Sequence, residues 1–410
     1  MNTLSSQQPL LQPQALGHAL RHLSDAELQA YRAAKHYAAW RDMSAAEQQL
    51  GILALRGSDA LDLLQRLTTN DLSKLTVPAA ANGIATAGEG AQTVFVTEKA
   101  RILDVATVLV RQCQSEQQAQ GKQQGKQQDL LLLLSNGQAE PILQWLDKYT
   151  FIDDVHISNA TNQYAQIMLM GPRSPQVLNN LTRTDFLEDP QFGDLRVHHW
   201  KTSRIGGSEV IVVKQPTLCE LCYLLLVPVE EIAQVRAVFQ QLNGIGNELR
   251  EGAAAQSVPQ ISEAVFETLR IEAGWGRWGA EWTLEHNPLE AALVSMVSFT
   301  KGCYIGQEVI ARLDTYNKTK VHLVGFVADE PLPVGAQFFD ETAKNNHGNT
   351  GSGVASGVGS VTSATFSPEL DKYLALGYLR TAYANPGVQM QARAADTSIT
   401  ATIVKLPFVM

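Results

Sequence analysis

The pattern of apolar residues changes character at about residue 315, and this change limits the folds open to the chain. Before it, strand-like segments alternate with amphipathic helices. After it, the sequence contains short β-type segments such as VHLVGFVA and YLALGYLR, with turn residues between them. Short strands separated by turns are typical of a small β-barrel or sandwich. Because 410 residues are also too many for one ordinary core, we predict an α+β body followed by a C-terminal β-barrel.

Three parts are expected along the chain. Residues 1–44 are predicted to be an N-terminal helical extension, in which Ser24 and Glu27 have the spacing of a capping box. Residues 45–314 are predicted to form the α+β body, with two subdomains. Residues 315–410 are predicted to form the barrel domain.

Two low-complexity stretches interrupt these parts. SEQQAQGKQQGKQQ at 115–128 is too polar to pack into a core, and a strand-like DLLLLLSN follows it at once. We therefore interpret it as a loop inserted between two neighbouring strands. The Gly/Ser-rich stretch 344–363 is predicted to be a long loop within the barrel.

Composition excludes several classes of protein. The net charge of −9 argues against broad, phosphate-driven binding to nucleic acid. No apolar run reaches the length of a membrane span, and the N-terminus lacks a basic region followed by an apolar stretch. Four cysteines without regular spacing indicate a reducing compartment. We expect a cytoplasmic protein with no membrane partner and no direct nucleic-acid partner.

The stretch KGCYIGQEVIAR, residues 301–312, carries the strongest chemical signal. Gly302 and Gly306 suit a tight turn, because glycine adopts positive φ without steric cost, and QEVIARL is good helix material. Cys303 would then lie near a helix N-terminus with Lys301 close by, and both features favour the thiolate. The alternative is a buried cysteine that acts as a small apolar side chain.

The pair Cys219 and Cys222 in CELC has the spacing of a redox or metal-binding motif. However, ELCYLLLVPV has the composition of a strand, in which positions three apart face opposite ways. A single pair also lacks the further ligands of a structural zinc site. No metal site is therefore predicted.

At KGCYIGQE the sequence resembles the signature of the YgfZ family, which comprises folate-binding relatives of the glycine cleavage T protein. Further similarity to that wider superfamily lies in LRGSDALDLLQRLTTNDLSKL at 55–75, in TEKARILDVATVLV, and in LRIEAGWGRWGAEW at 269–282. The resemblance implies a glycine cleavage T protein-like, multi-domain α+β folate-binding fold with a C-terminal β-barrel. It also implies tetrahydrofolate or a derivative as cofactor.

The resemblance also implies several ligand-binding residues. Glu220 in ELCY keeps the spacing of a pterin-facing glutamate, Arg270 matches the arginine that opens R-x-E-A-G, and Trp278 lies where the T protein usually has a tyrosine. Asn136 in LLSNGQ matches an asparagine near the folate site. A carboxylate can grip the amidine-like edge of a pterin with two hydrogen bonds.

Asp104 separates two branches of the superfamily. The T protein carries two adjacent aspartates after G-G-I, and the first is its catalytic acid/base. This chain has ARILDVA, which keeps one acid at Asp104 and has Val105 where the second would be. Both this difference and the cysteine motif favour the YgfZ branch over glycine cleavage.

Three hypotheses follow. In the first, the chain binds tetrahydrofolate and supports assembly or repair of iron–sulfur enzymes, with Cys303, Lys301 and Asp104 as the working residues. Its partners would be iron–sulfur proteins or their assembly machinery, and any effect on tRNA modification would be indirect. The second is a folate-dependent, aminomethyltransferase-like one-carbon transferase in which Cys303 is incidental. The third is a folate-binding module without chemistry.

Overall fold

The computed structural model describes residues 22–76, 85–112, 128–182, 192–216, 218, 221–242, 257–340, 357–395 and 397–409. The body strands are β1 (Ala39–Asp42), β2 (Gly51–Gly57), β3 (Ala87–Gly88), β4 (Gly90–Val96), β5 (Ile102–Gln112), β6 (Gln128–Leu134), β7 (His156–Asn159), β8 (Tyr164–Met170), β9 (Trp200–Ile205), β10 (Ser208–Gln215) and β11 (Cys222–Pro228). The helices are α1 (Asp25–His36), α2 (Ala60–Leu67), α3 (Ala139–Asp147), α4 (Ser174–Leu181), α5 (Ile232–Leu242), α6 (Glu263–Glu272) and α7 (Gln307–Thr315). The barrel strands are β12 (Val321–Ala328), β13 (Gln337–Phe339), β14 (Gly357–Ser367), β15 (Lys372–Arg380), β16 (Gln389–Ala394) and β17 (Thr397–Val404).

The first body sheet is antiparallel, with the strand order β4-β5-β6-β2-β7. Its central strand β6 carries the apolar run LLLLL, which is buried on both faces. One face packs against α2 and α3, where Leu63, Leu64 and Ile142 join its core. A strand covered on both faces reads as a continuous apolar run, and this explains the composition of β6.

The second body sheet has the order β1-β8-β11-β10-β9-β3 and is also antiparallel. Its outer face packs against α4 and α5 through Val177 and Phe239, among others. Its inner face shares a core with the first sheet, in which Leu224 belongs to the same buried cluster as Leu131. The two sheets thus form the centre of the body.

Within the predicted N-terminal extension, the described residues 22–44 pack against the body. The capping box of α1 is present as predicted, with Ser24 and Glu27 bonded reciprocally. Tyr31 is buried and donates a hydrogen bond to Glu272 of α6 at 2.7 Å. Strand β1 pairs with β8 of the second sheet. Apolar burial and strand pairing thus join residues 22–44 to the body.

The C-terminal domain is a closed barrel with the order β12-β15-β14-β13-β16-β17. Phe326 and Phe338 stack in its core with ring centroids 4.3 Å apart. Closure pairs both edges of the sheet, which removes the exposed hydrogen-bonding edge that an open sheet would have. The predicted barrel is confirmed.

Both predicted loops extend slightly into segments that form strands in the structure. Gln128 already pairs with Gln112 in the first sheet, and residues 357–363 belong to β14. Gly359 explains the second error, because a Cβ atom there would collide with the backbone carbonyl of Tyr378 on the neighbouring strand. Glycine therefore serves a close strand approach at this position. The rest of each stretch, 115–127 and 344–356, lies outside the described residues.

None of the helices in the described part of the chain combines the length and the apolar character that crossing a bilayer requires.

Candidate functional site

The loop before α7 presents Cys303 to solvent as a free thiol. Gly306 precedes α7 with a φ of 79°, which favours glycine over residues with a side chain. A Cβ atom at Gly306 would lie 2.8 Å from the carbonyl oxygen of Thr97 in the turn between β4 and β5. The predicted turn is confirmed, and its glycine lets the cysteine loop lie directly on the first sheet.

Lys301 anchors the same loop to the end of α2. Its ammonium donates to the carbonyl oxygens of Gln65, Thr68 and Asn70 at 2.7, 2.7 and 2.6 Å. An ammonium has three N–H donors, so all three are used. The carbonyls at a helix C-terminus lack partners within the helix and carry partial negative charge, which explains why they accept a cation.

Burial lowers the pKa of Lys301 to about 8, against the opposing influence of Asp71. The ammonium is therefore still mainly protonated at neutral pH. The sequence predicted that Lys301 takes part in the chemistry of the thiol. In the structure its N–H groups are committed to α2, so none is left to donate to Cys303.

Two further residues fix the cysteine loop. Tyr304 is buried in a small apolar cluster with Ala100 and Ile310. The backbone N–H of Ile305 donates to the carbonyl of Arg66 at 3.2 Å. The thiol is thus exposed, but the backbone on both sides of it is held in place.

Asp104 lies on β5 and is completely buried. Its Oδ2 accepts the backbone N–H of Ser135 at 2.9 Å, while Oδ1 has no hydrogen-bond partner in the described part of the chain. Burial raises the pKa of the carboxyl to about 7, although hydrogen bonds from Ser135 and Val105 act in the opposite sense. An unpartnered buried carboxyl oxygen is costly and calls for an explanation.

Asp104 and the cysteine loop belong to the same region of the first sheet. Asp104 pairs across the sheet with Phe95 of β4, and Phe95 forms an isolated bridge with Thr68. The carbonyl oxygen of Thr68 is one of the three that accept a hydrogen bond from Lys301. Ile305 packs against the apolar cluster that contains Phe95. Two residues predicted from separate motifs are therefore connected through a short chain of contacts.

Arg270 is buried at the junction of α6 and the barrel, and it contacts protein groups through every N–H. It forms two bonds with Glu267, at 3.0 and 2.8 Å, and one each with Glu281, Ser363 and the carbonyl of Trp275. A guanidinium has five N–H donors. Arg270 thus has no donor left for a ligand carboxylate, and it connects the body to β14.

The side-chain amide of Asn136 is also bound to protein groups. It donates to the carbonyls of Ala46 and Gln49 at 2.7 and 2.6 Å, which ties the turn before α3 to the loop before β2. Trp278 is half-buried against a cluster at the interface between body and barrel. Glu220 and Cys219 lie outside the described residues, and Cys222 is buried at the start of β11.

The structure also contains a cavity of about 330 Å³ between the barrel and the segment before α7, which the sequence did not indicate. His286 stacks on Tyr378 at its wall, with ring centroids 3.5 Å apart. Burial lowers the pKa of His286 to about 4, and Arg101 acts in the same sense. The lining comes from several separate segments, so no local motif could have revealed it. The lining residues are Ala280, Thr283, Glu285, His286, Val321, Gln337, Gly357, Val358, Gly359, Ser360, Thr362, Tyr378 and Arg380.

Two antiparallel sheets, a closed C-terminal barrel and a site on the first sheet define a multi-domain α+β protein. Residues 124–301 match the GCVT N-terminal domain, and residues 322–409 match the glycine cleavage T-protein C-terminal barrel domain. Both matches indicate a glycine cleavage T-protein-like fold, and the predicted fold class is confirmed.

A solved structure supports the same fold. The glycine cleavage system aminomethyltransferase T from Bartonella henselae superposes with a TM-score of 0.70 at 19% sequence identity. The match covers 93% of this chain and 89% of that one. At this identity the likeness concerns the fold.

Similar curated proteins bear transferase names. A chloroplastic "putative transferase" of Arabidopsis thaliana is 29% identical over 82% of this chain, and the chain spans 65% of its length. An aminomethyltransferase of Prochlorococcus marinus strain MIT 9303 is 25% identical over 93% of this chain and 89% of its own. An aminomethyltransferase of Chlorobium luteolum is 25% identical over 92% of this chain and 89% of its own.

Proposed function

We propose that this chain is a cytoplasmic, tetrahydrofolate-binding protein of the YgfZ type that supports assembly or repair of iron–sulfur enzymes. Its effect on tRNA modification would be indirect, through enzymes that depend on such clusters. The observation that carries the proposal is the exposure of Cys303 on a loop whose neighbours are fixed. A thiol at the surface can meet a macromolecular partner, whereas a structural cysteine is typically buried.

The protein groups around Asp104 fit a reduced folate. Its Oδ1 has no partner among the described residues, and its raised pKa keeps the carboxyl partly protonated near neutral pH. Such a group can donate or accept a hydrogen bond at a pterin ring, and Trp278 offers an aromatic face. When bound, the folate would carry the one-carbon unit. Because Asp104 has no exposed surface, contact with the ligand requires local opening around β5.

The residue after Asp104 favours this branch over glycine cleavage. Val105 lies in an apolar cluster with Val94 and Ile271, at the interface between body and barrel. A second carboxylate there would be buried among apolar groups without a partner, which is strongly unfavourable. The paired-aspartate arrangement of the T protein thus does not suit this environment.

A second candidate function is an aminomethyltransferase-like one-carbon transferase. The names of the Prochlorococcus and Chlorobium relatives favour it. A carboxyl with a pKa of about 7 is also well matched to general acid–base work at neutral pH. In this alternative Asp104 would move the proton and Cys303 would be incidental.

Equilibrium titration with tetrahydrofolate tests the cofactor assignment. Wild type and Cys303→Ser should bind alike, because the thiol is not part of the folate contact. Asp104→Asn should bind at least about tenfold more weakly, which corresponds to about 1.4 kcal/mol. Asp62→Asn, on the exposed face of α2, is the matched control. Equal binding by Asp104→Asn and wild type would contradict the assignment.

A further inference from the structure

Two large apolar side chains project into solvent on the turn that follows α3. Phe151 is 84% exposed and Ile152 is 97% exposed. A single exposed apolar residue is ordinary, but two adjacent ones at this exposure are a concentrated apolar surface. We name Phe151 and Ile152 the apolar tip.

The backbone that carries the apolar tip is held in place. Asp154 accepts hydrogen bonds from the backbone and the hydroxyl of Ser58 at 3.2 and 3.0 Å, and its own N–H donates to Asp59 at 2.8 Å. Asp153 forms an ion pair with Arg66 at 2.5 Å. The apolar tip is therefore presented in a fixed geometry, which lowers the entropy lost on binding.

The surroundings of the apolar tip are acidic. Asp153 and Asp154 follow it directly, Asp59 accepts the backbone N–H of Asp154, and Asp62 shares Arg66 with Asp153. The cations nearby are Arg66, which contacts both Asp62 and Asp153, and the exposed Lys148, three residues before the tip. Carboxylates thus outnumber cations around the tip, and a complementary surface must be basic.

The apolar tip is continuous with the cysteine loop. Arg66, which binds Asp153 through its side chain, accepts the N–H of Ile305 at its carbonyl. Helix α2 has eight residues and is therefore about 12 Å long. A protein seated on the tip and on α2 would reach the loop that carries Cys303.

We propose that the apolar tip is the anchor of a docking surface for a partner protein whose contact face is an apolar pocket rimmed by Lys and Arg. Docking there would bring that partner to the thiol of Cys303. This inference rests on the proposed function for the role of the thiol, but the docking surface is defined by the tip and its acidic rim alone.

The test starts from cross-linking and ends on purified proteins. A photo-reactive phenylalanine analogue replaces Ile152 in the full chain, and cells of the source organism are irradiated. The same analogue at Val388, a barrel residue that is 45% exposed, is the matched control. A protein captured from position 152 and not from 388 is identified, purified and titrated against wild type and Phe151→Ser/Ile152→Ser.

The proposal expects binding that weakens at least about tenfold in the double variant and weakens again as salt rises. Val388→Ser should leave binding unchanged, and neither variant should alter the melting temperature or tetrahydrofolate binding. Capture of no protein, capture of a second copy of this chain, or equal binding by the double variant would overturn it. Because folate binding is measured on the same samples, loss of docking and failure of the cofactor assignment are distinguished.

Discussion

The ammonium of Lys301 lies 2.7 Å from the carbonyl oxygen of Thr68. This contact joins the cysteine motif to the end of α2, and Thr68 in turn is bridged to Phe95, the cross-strand neighbour of Asp104. The lysine of the motif therefore positions the loop that presents Cys303. Its role in the structure differs from direct chemistry at the thiol.

Replacing Lys301 by methionine should destabilise the protein by about 2 kcal/mol, because three carbonyls at the end of α2 lose a charged donor. Lys320→Met, at an exposed position, should change stability by less than about 0.5 kcal/mol. Urea unfolding of both variants measures the difference. Equal stability of Lys301→Met and wild type would show that the three contacts contribute nothing.

The carboxyl of Asp104 should make stability depend on pH. Its pKa rises from an ordinary 3.8 to about 7 in the folded state, so the folded protein holds this proton more tightly than the unfolded chain. Stability contributed by the proton is therefore lost as pH rises from about 4 to about 7. Asp104→Asn cannot ionise and lacks this loss.

Urea unfolding at pH 5 and pH 8 tests the sign. The stability of Asp104→Asn relative to wild type should increase between the two values, by more than the roughly 1.4 kcal/mol that one pKa unit represents. A constant difference would mean that the carboxyl ionises in the folded protein as it does in the unfolded chain.

Arg270→Lys should destabilise the protein by about 3 kcal/mol, since a lysine cannot replace five donors and leaves Glu281 buried with a poorer partner. Arg277→Lys, whose side chain is 40% exposed, is the matched control and should have little effect. Thermal unfolding measures both. A variant with unchanged melting temperature but much weaker folate binding would instead restore the ligand contact inferred from the sequence.

The low-complexity loops should be dispensable for folding when the replaced residues stop at the observed strand ends. Replacing residues 115–127 or 344–356 with a short Gly/Ser turn should leave the melting temperature nearly unchanged, because closure entropy changes by only about 0.6 kcal/mol per doubling of loop length. Extending the second replacement to residue 363 removes the start of β14 and should unfold the barrel. A large loss with the trimmed replacement would show that the loop packs.

The sequence predicted what local patterns determine. The alternation of strands with helices, the capping box at Ser24 and the positive-φ glycine at Gly306 follow from residue type and spacing. All are confirmed. The surroundings of Lys301 could not be predicted, since one of its acceptors lies 236 residues away in the chain. The five contacts of Arg270 likewise combine α6 with β14. Tertiary partners of this kind are set by how the sheets and the barrel meet.

The site residues also differ in how much of their surroundings could be predicted from the sequence. Cys303 was expected near a helix start, and the short helix-forming segment after it was enough to place it there. Asp104 was identified by a motif, but its complete burial and its hydrogen bond from Ser135, directly after the neighbouring strand β6, depend on the packing of the sheet. The exposure of Phe151 and Ile152 could not be predicted, because the letters FI alone do not show whether the side chains are buried.

The most direct test of the account is the activity of iron–sulfur enzymes in cells whose own copy of the gene is replaced by Cys303→Ser. The buried cysteine supplies the matched control, Cys222→Ala. The account predicts that Cys303→Ser lowers these activities to the level of cells without the gene, while its folding and tetrahydrofolate binding remain normal and Cys222→Ala retains function. Full activity with Cys303→Ser would contradict the account and favour the one-carbon transferase.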